Sequence, residues 1–359
     1  MDSVKCNLPI DIAQTVSAAV VHTIFRQDDL AAWDHTLADL RYVPVTYSSA
    51  SIDYQLAYQR GFGGAWLDIS LILYHDGRPC GVWPLSLSVK ANNASVSSHG
   101  FPVLPPLFVK GLPDKSRKTL VKGCLTLLED LCRAGKNAAW ESAESFNGQP
   151  ELGLSEWHHQ SMCRGAKGLL RHELLVDLSL EIEAIKTHFR KSYKALITSG
   201  TRSWQVDVIA EENSKVWNEF RELHLNVAGR VTRSAVTWEL NHHAIIDGNA
   251  LLVLLRNDRG DMVGGGFFTI SRDEAVYSVG AYDRSLFAKP LGHVVQFRAI
   301  QEMKRRGLRW YKLGFRPYPC ELPTPSEKEI SIGEFKQGFA THLFPQYVLR
   351  YDLNPTNLH

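Results

Sequence analysis

The chain has no closely spaced cysteines, no long apolar run and no excess of charge, and each shortage removes a class of function. Its six cysteines, Cys6, Cys80, Cys124, Cys132, Cys163 and Cys320, are scattered without a CxxC pair, so neither a disulfide framework nor a zinc site has the required spacing. They read as buried free thiols. No stretch reaches the roughly 18 apolar residues a membrane span needs, and the N-terminal MDSVKCNLPIDIAQTVSAAVVHTIF holds only a short, broken apolar segment. A cytoplasmic protein without a transmembrane segment is therefore expected. A formal charge of +2 argues against a dedicated double-stranded DNA binder and leaves room for a local basic patch. GxSxG, Walker A and HExxH strings are also missing, which argues against serine hydrolase, P-loop and zincin chemistry. No metal is expected.

What is present is a repeat. At 359 residues the chain exceeds one core of ordinary size, so two domains or a duplicated one are expected. In the first half LDISLILYHDGRPCGVWPLSLSV reads as two β-rich runs around an Asp76-Gly77 turn. A third run, ASVSSHG, follows. The segment SRKTLVKGCLTLLEDLCRAG then places Leu120, Val121, Cys124, Leu125, Leu128 and Leu131 at helical spacing and stops at Gly135, where a left-handed residue is favoured. NAAWES is strand-like.

The second half repeats the order. LLVLLRNDRGDMVGGGFFTI is a hairpin turning at Asp258 to Asp261, EAVYSVGAY a third strand, LGHVVQFRAIQEMKRRG a helix and LRWYKLG a fourth strand. Pro290 suits the first turn of that helix, and Lys304, Arg305 and Arg306 suit the negative end of its dipole. Two copies of this order predict two mixed α/β sheets, each with a helical crossover. Between them, HELLVDLSLEIEAIKTHFRKSYKALITSGTR reads as a strand and a basic helix. The cut is placed near residue 165, giving domains 1–165 and 166–359.

FRELH, then Arg230 and Arg233, the second hairpin, YSVGAYDRS, the helix ending in KRRG, WYKLG and finally EFKQGFATH form an ordered set. That set resembles the FemAB-like acyltransferases, duplicated relatives of the GCN5-related N-acetyltransferase (GNAT) fold, over about residues 170–350; the first half shares only the strand and helix pattern. The resemblance implies two tandem GNAT-like domains of mixed α/β class, with the donor side in the second. It also implies direct transfer of an acyl or aminoacyl group, in a ternary complex, to an amine or hydroxyl of a cell-envelope sugar or peptide. The donor would be acyl-CoA or an aminoacyl-tRNA, with no covalently bound cofactor.

In GNAT folds two neighbouring strands part, and unpaired N–H groups on the first can hold the donor carbonyl. The resemblance maps these strands to FFTI and VYSVGAY, with Gly264, Gly265 and Gly266 permitting close backbone approach; a bulge or tight packing is the plainer meaning of such glycines. AKPLGHV then stands where acyl-CoA enzymes carry a Q/R-x-x-G-x-G/A loop that offers a helix N-terminus to the pyrophosphate. It keeps Gly292 but has Lys289 first and Val294 last, with His293 between, so the match leaves acyl-CoA use open. The Gly-rich Arg60–Ala65 precedes a strand and fails the same motif by context.

EFKQGF resembles the Phe-Lys motif of FemAB-like enzymes, which carries onto Phe335 and Lys336 and implies that the Lys336 ammonium steadies a tetrahedral intermediate. A surface lysine on a helix is the plainer reading. Tyr282 and Asp283 are candidate proton-transfer groups or turn caps. His224, Arg230 and Arg233, on a helix and its exit, are candidates for reaction or anchoring. HFRKSYK, with Arg190, Lys191 and Tyr193, would grip a phosphate-bearing substrate, a tRNA end included, or be a solvated face.

NHHAIIDGNA supplies a rival. A His-His-x-x-x-Asp-Gly string is the signature of chloramphenicol-acetyltransferase-like enzymes, and there His243 would be the base. The flanking text reads instead as a helix end stopped by Asp247-Gly248 before a hairpin strand. A catalytically silent binding module on the same fold is the remaining alternative.

Overall fold

The computed structural model describes residues 11–353 except 20, 91, 92, 145, 147 and 149–152. Cys6 and most of the polar stretch 147–153 lie outside the described residues. The chain divides into two compact units, Met1–Leu170 with the segment from Gln346 onward, and Arg171–Pro345. The division lies slightly beyond the expected cut at 165, and the end of the expected 166–359 domain returns to the first unit. Among the described residues no helix is long and apolar enough to cross a membrane.

In the first unit α1 (Ile12–Ser17), β1 (Thr23–Phe25), α2 (Leu30–Ala38) and α3 (Ser49–Arg60) lead into β2 (Ala65–Asp68), β3 (Leu71–His75), β4 (Arg78–Trp83), β5 (Ser86–Lys90), β6 (Asn93–Ser97) and β7 (Leu107–Phe108). Then come α4 (Asp114–Ala134), β8 (Ala139–Ala143) and α5 (Glu156–Cys163). Asp76 and Gly77 both take positive φ, 50° and 73°, and turn β3 back on β4, as a two-residue hairpin requires. The surrounding run holds four strands where two were expected. β1-β3-β4-β7 and β2-β5-β6 form separate sheets, so ASVSS extends β5 and not the hairpin.

Every apolar position expected for α4 is buried. Gly135 corrects its expectation: it stays right-handed at φ −76°, and Lys136 takes the left-handed place at φ 59°. Glycine is needed there because a Cβ would lie 2.1 Å from the Ala94 carbonyl oxygen. Cys80, Cys124 and Cys132 are buried, whereas Cys163 and Cys320 are exposed, one ending α5 and the other in an irregular loop.

The second unit starts within β9 (Lys167–Asp177) and continues through α6 (Ile182–His188), α7 (Lys191–Ser203), β10 (Gln205–Ile209), α8 (Ser214–Ala228), α9 (Ala235–Ile246), β11 (Ala250–Arg256), β12 (Met262–Ile270), β13 (Glu274–Tyr282), α10 (Leu291–Arg305), β14 (Trp310–Phe315), α11 (Glu327–Gln337) and β15 (His342–Asp352). Its sheet runs β10-β11-β12-β13-β14-β9-β15. Neighbours from β10 to β13 are antiparallel, and β13 meets β14 in parallel across α10. Past Pro345, β15 pairs with β8 of the first unit, Val348 opposite Ala143.

The run LLVLL is apolar throughout because β11 is covered on both faces. Leu251, Val253 and Leu255 join α7 and α10 in one core, and Leu252 and Leu254 join Trp217, Phe220 and Trp238 of α8 and α9 in another. Each such side chain contributes about 1.5–3 kcal/mol on burial.

Candidate active site

β13 and β14 pair only at Glu274↔Trp310, Ala275↔Tyr311 and Val276↔Lys312. Beyond Val276 the two strands part. The structure therefore puts the opening one strand later than expected: FFTI and VYSVGAY stay paired from Gly264↔Tyr282 to Ile270↔Ala275. Gly265 and Gly266 serve packing, not an exposed backbone edge. A Cβ on Gly265 would lie 3.0 Å from Phe220, and one on Gly266 would lie 2.9 Å from Val295, so both faces of β12 need glycine.

Lys336 stands where β13 and β14 part. Its Nζ lies 5.5 Å from the ring centroid of Tyr277, the first β13 residue past the pairing. It also lies against Gly314, where an added Cβ would be 2.7 Å from Nζ. Gly314 has φ +125°, a conformation that favours glycine. Burial lowers the Lys336 ammonium to about 8, and no carboxylate pairs with it among the described residues.

The turn of α11 that carries Lys336 is firmly held. Arg316 donates to Gln337 Oε1 at 2.8 Å and Glu334 Oε1 at 3.1 Å. Arg190 Nη2 donates to the Glu334 carbonyl at 3.1 Å, and the Tyr193 hydroxyl to that of Phe335 at 3.2 Å. At its other end α11 has a Ser326–Glu329 capping box. Lys336 also borders a cleft of about 500 Å³ lined by Arg171, Phe315, Glu321, Leu322 and Ile332 among others.

Below Tyr277 lies a polar network that the sequence reading missed. The Tyr277 and Tyr282 hydroxyls are 3.1 Å apart, and the Tyr311 hydroxyl donates to Gln296 Oε1 at 2.5 Å. Residues five apart on a strand ordinarily face opposite ways. A bulge at Ser278, between the Phe268↔Tyr277 and Phe267↔Val279 pairs, brings both tyrosines together. Burial, reinforced by Tyr277, holds the Tyr282 phenol well above its usual range. Lys312, in the neighbouring register, is a structural charge: burial would lower its ammonium, but Glu274, 3.1 Å away, and Glu173 hold it up.

At the start of α10, Gly292 is where a Cβ would lie 3.0 Å from Phe335. His293 packs edge-on to Tyr193, with centroids 4.4 Å apart, and to Phe335. Burial, then the Arg190 charge, lowers its imidazole to about 4, so at neutral pH it brings no positive charge. Pro290 gives this helix no side-chain cap.

A mixed sheet with this crossover, opened beside its parallel pair, has a counterpart among known families. The model of the acetyltransferase (GNAT) domain matches residues 186–319. This segment belongs to the GNAT family. No curated protein matches the chain's sequence. Among solved structures, FemX shares 13% identity over 91% of this chain and 96% of its own, with a TM-score of 0.64. The C-terminal domain of a protein named as a lysylphosphatidylglycerol synthetase, from Agrobacterium fabrum, shares 13% over 92% of each chain, with a TM-score of 0.55. L-PGS from Bacillus licheniformis shares 14% over 85% of this chain and 92% of its own, with a TM-score of 0.52. At such identities these likenesses show a common fold.

Within the second unit, Lys336, Phe335, Tyr193, Arg190, Gly292 and His293 come together, and Tyr282 joins them through Tyr277. Lys289 lies over the Trp204 ring at 5.3 Å, and Lys191 is exposed. Asp283 caps a short turn, accepting from the Ser285 N–H at 2.9 Å. His224 and Arg233 form another group: His224 Nε2 is 3.2 Å from Arg233 Nη1, and Trp238 touches both. Burial, then Arg233, lowers the His224 imidazole, while Arg230 is exposed. His243 is exposed on the last turn of α9, which ends at Asp247 as the helix-end reading expects.

Proposed function

We propose that this GNAT-unit protein transfers an acyl group from a carrier-bound donor to an amine, with acyl-CoA as donor and an amino group on a sugar or peptide of the cell envelope as acceptor. The observation that carries this reading is the Lys336 Nζ, desolvated and paired with no carboxylate among the described residues, at the point where β13 and β14 separate.

In this reading the donor carbonyl lies in the opening, where backbone N–H groups of β13 beyond Val276 and the Lys336 ammonium face it. The acceptor nitrogen attacks the carbonyl carbon, and negative charge collects on its oxygen, where fixed donors in a water-poor site stabilise it. As the carbon–sulfur bond breaks, the thiolate leaves and the proton released by the amine balances it. With a value near 8, Lys336 is largely charged at neutral pH. The first turn of α10, uncapped at Pro290, would take the donor diphosphate.

A tRNA-esterified aminoacyl donor is the second reading. It is favoured by the departures at that turn: Lys289 at the first position, Val294 at the last, and an uncharged His293 packed among aromatic rings. Calorimetric titration with acetyl-CoA and with CoA separates the two. Binding that weakens in Lys289→Ala supports the acyl-CoA donor. No heat from either ligand rejects it and leaves a charged-tRNA transfer assay to test the second reading.

A further inference from the structure

The basic helix α7 has a face that the acyl-transfer reading does not use. We propose that the cavity between α6, α7 and the middle of α10 is a second binding site, for a nucleotide held by its phosphates and base. The cavity measures about 500 Å³ and shares no lining residue with the Lys336 cleft, a volume ordinary for a small-molecule site.

Three cations line it, Lys186, Lys194 and Arg202, against one carboxylate, Glu183. Glu183 is committed to Lys186 at 2.9 Å. Lys194 and Arg202 make no ion pair among the described residues. Together with Thr198 they stand four residues apart on α7, so they form one stripe along the helix. The whole chain carries a formal charge of only +2, and this uncompensated pair is therefore a local feature.

The cavity is also more than a row of solvated cations. Phe189 and Phe297 meet edge to face at 6.2 Å and 89° and contribute to its wall. Phe189 is buried and Phe297 half-buried, which sets an apolar surface beside the exposed Lys194 and Arg202. A phosphate alone would use only the cations. A planar base joined to a diphosphate would use both surfaces, the guanidinium of Arg202 taking two phosphate oxygens at once.

ADP, inorganic pyrophosphate and adenosine are the probes, titrated calorimetrically into the full chain and into Arg202→Glu, Lys194→Glu and Lys289→Glu variants. The expected result is that ADP binds more tightly than pyrophosphate or adenosine. Arg202→Glu and Lys194→Glu should each weaken it roughly ten- to a hundredfold, and in Lys289→Glu, which impairs any ADP held at the donor turn of α10, binding that depends on Arg202 and Lys194 should persist. Unchanged thermal midpoints in the variants, whose side chains are exposed, exclude misfolding as the cause. The proposal is overturned if ADP does not bind, or if pyrophosphate binds as tightly as ADP. It is overturned too if Lys289→Glu removes binding that the two α7 variants leave intact, which would put the phosphates at the first turn of α10.

Discussion

Both units follow a long amphipathic helix, α4 or α10, with a strand, β8 or β14, that makes parallel contact with an earlier extended segment. In the second unit that contact is a three-pair ladder that ends and opens. In the first it is a single bridge, Val103 to Ser142, held by the Val103 N–H donating to Glu141 at 2.8 Å and the Ala143 N–H to Val103 at 3.0 Å. Indoles close the surroundings: Trp157 Nε1 donates to Ser142 Oγ at 3.1 Å, and its ring meets Trp83 at 5.8 Å and Trp140 at 6.4 Å.

The two junctions also differ in the charge beside them. In the first unit Arg26 is answered by Asp68 at 2.8 Å and Asp53 at 3.0 Å. Burial would raise Asp68, but hydrogen bonds from His99 and Ser70 hold it well below the usual carboxylate range. Where the second unit opens, Lys336 is desolvated with no carboxylate paired to it among the described residues, unlike Lys312 with Glu274. A sheet opened beside an uncompensated ammonium costs stability, and proteins retain such features where chemistry needs them. The closed junction of the first unit fits a supporting role.

That contrast breaks if the two junctions respond alike to mutation. The largest effect is expected in the first unit, where Trp157→Ala should remove about 3–5 kcal/mol in urea unfolding while the folded fraction keeps its transfer rate. Next comes Lys336→Met, which should lower turnover by roughly 100- to 1,000-fold and yet raise stability. The folded ammonium titrates near 8 against an ordinary 10.5. The stabilisation a neutral amine would bring is thus complete above 10.5 and lost as pH falls to 8, so at pH 7 the charged group is a burden. Methionine should relieve about 1–3 kcal/mol of it. A Lys336→Met protein that is both active and no more stable would erase the difference between the junctions.

The elements whose periodicity matches their burial were legible from sequence. The stripe of α4, the Asp76-Gly77 turn and the order from β11 to β14 follow from spacing and turn chemistry alone. The opening lies one strand later than the resemblance maps it, and Gly264–Gly266 do not correct the mapping, because they signal close approach without saying to what: an aromatic ring and a helix, or a ligand. The pairing of Tyr277 with Tyr282 depends on a bulge, and a bulge shifts the period-2 rule without a glycine or proline to mark it. Lys336 was legible only through EFKQGF. Its neighbours Gly314 and Tyr277 lie on two other segments and meet it only in the fold. The C-terminal return of β15 left no trace in composition.

His293 gives the second unit its own acid sensitivity. Its folded value near 4 lies below the ordinary 6.5, so the unfolded chain takes up the proton first as pH falls. The contribution is whole above 6.5 and is lost towards 4. His293→Phe keeps an aromatic ring beside Tyr193 and Phe335. Unfolding midpoints measured from pH 7 to 4.5 should fall less steeply in the variant than in the parent. Parallel curves would show that the ring is hydrated or paired in a way the aromatic cluster does not provide.

The smallest loss of turnover, and the sharpest test of the opening, is expected at Gly314. Alanine there must adopt φ +125°, a strain of about 1–3 kcal/mol, and its methyl would fall 2.7 Å from Lys336 Nζ. The long lysine chain can swing away cheaply, so the clash adds little to unfolding. Swinging away moves the ammonium off the line where β13 and β14 part, and the transition state is sensitive to such displacement. Gly314→Ala should therefore reduce kcat about tenfold or more while donor affinity stays near that of the parent. A matching fall in donor affinity with kcat preserved would place Gly314 and Lys336 in binding and not in the step that follows it.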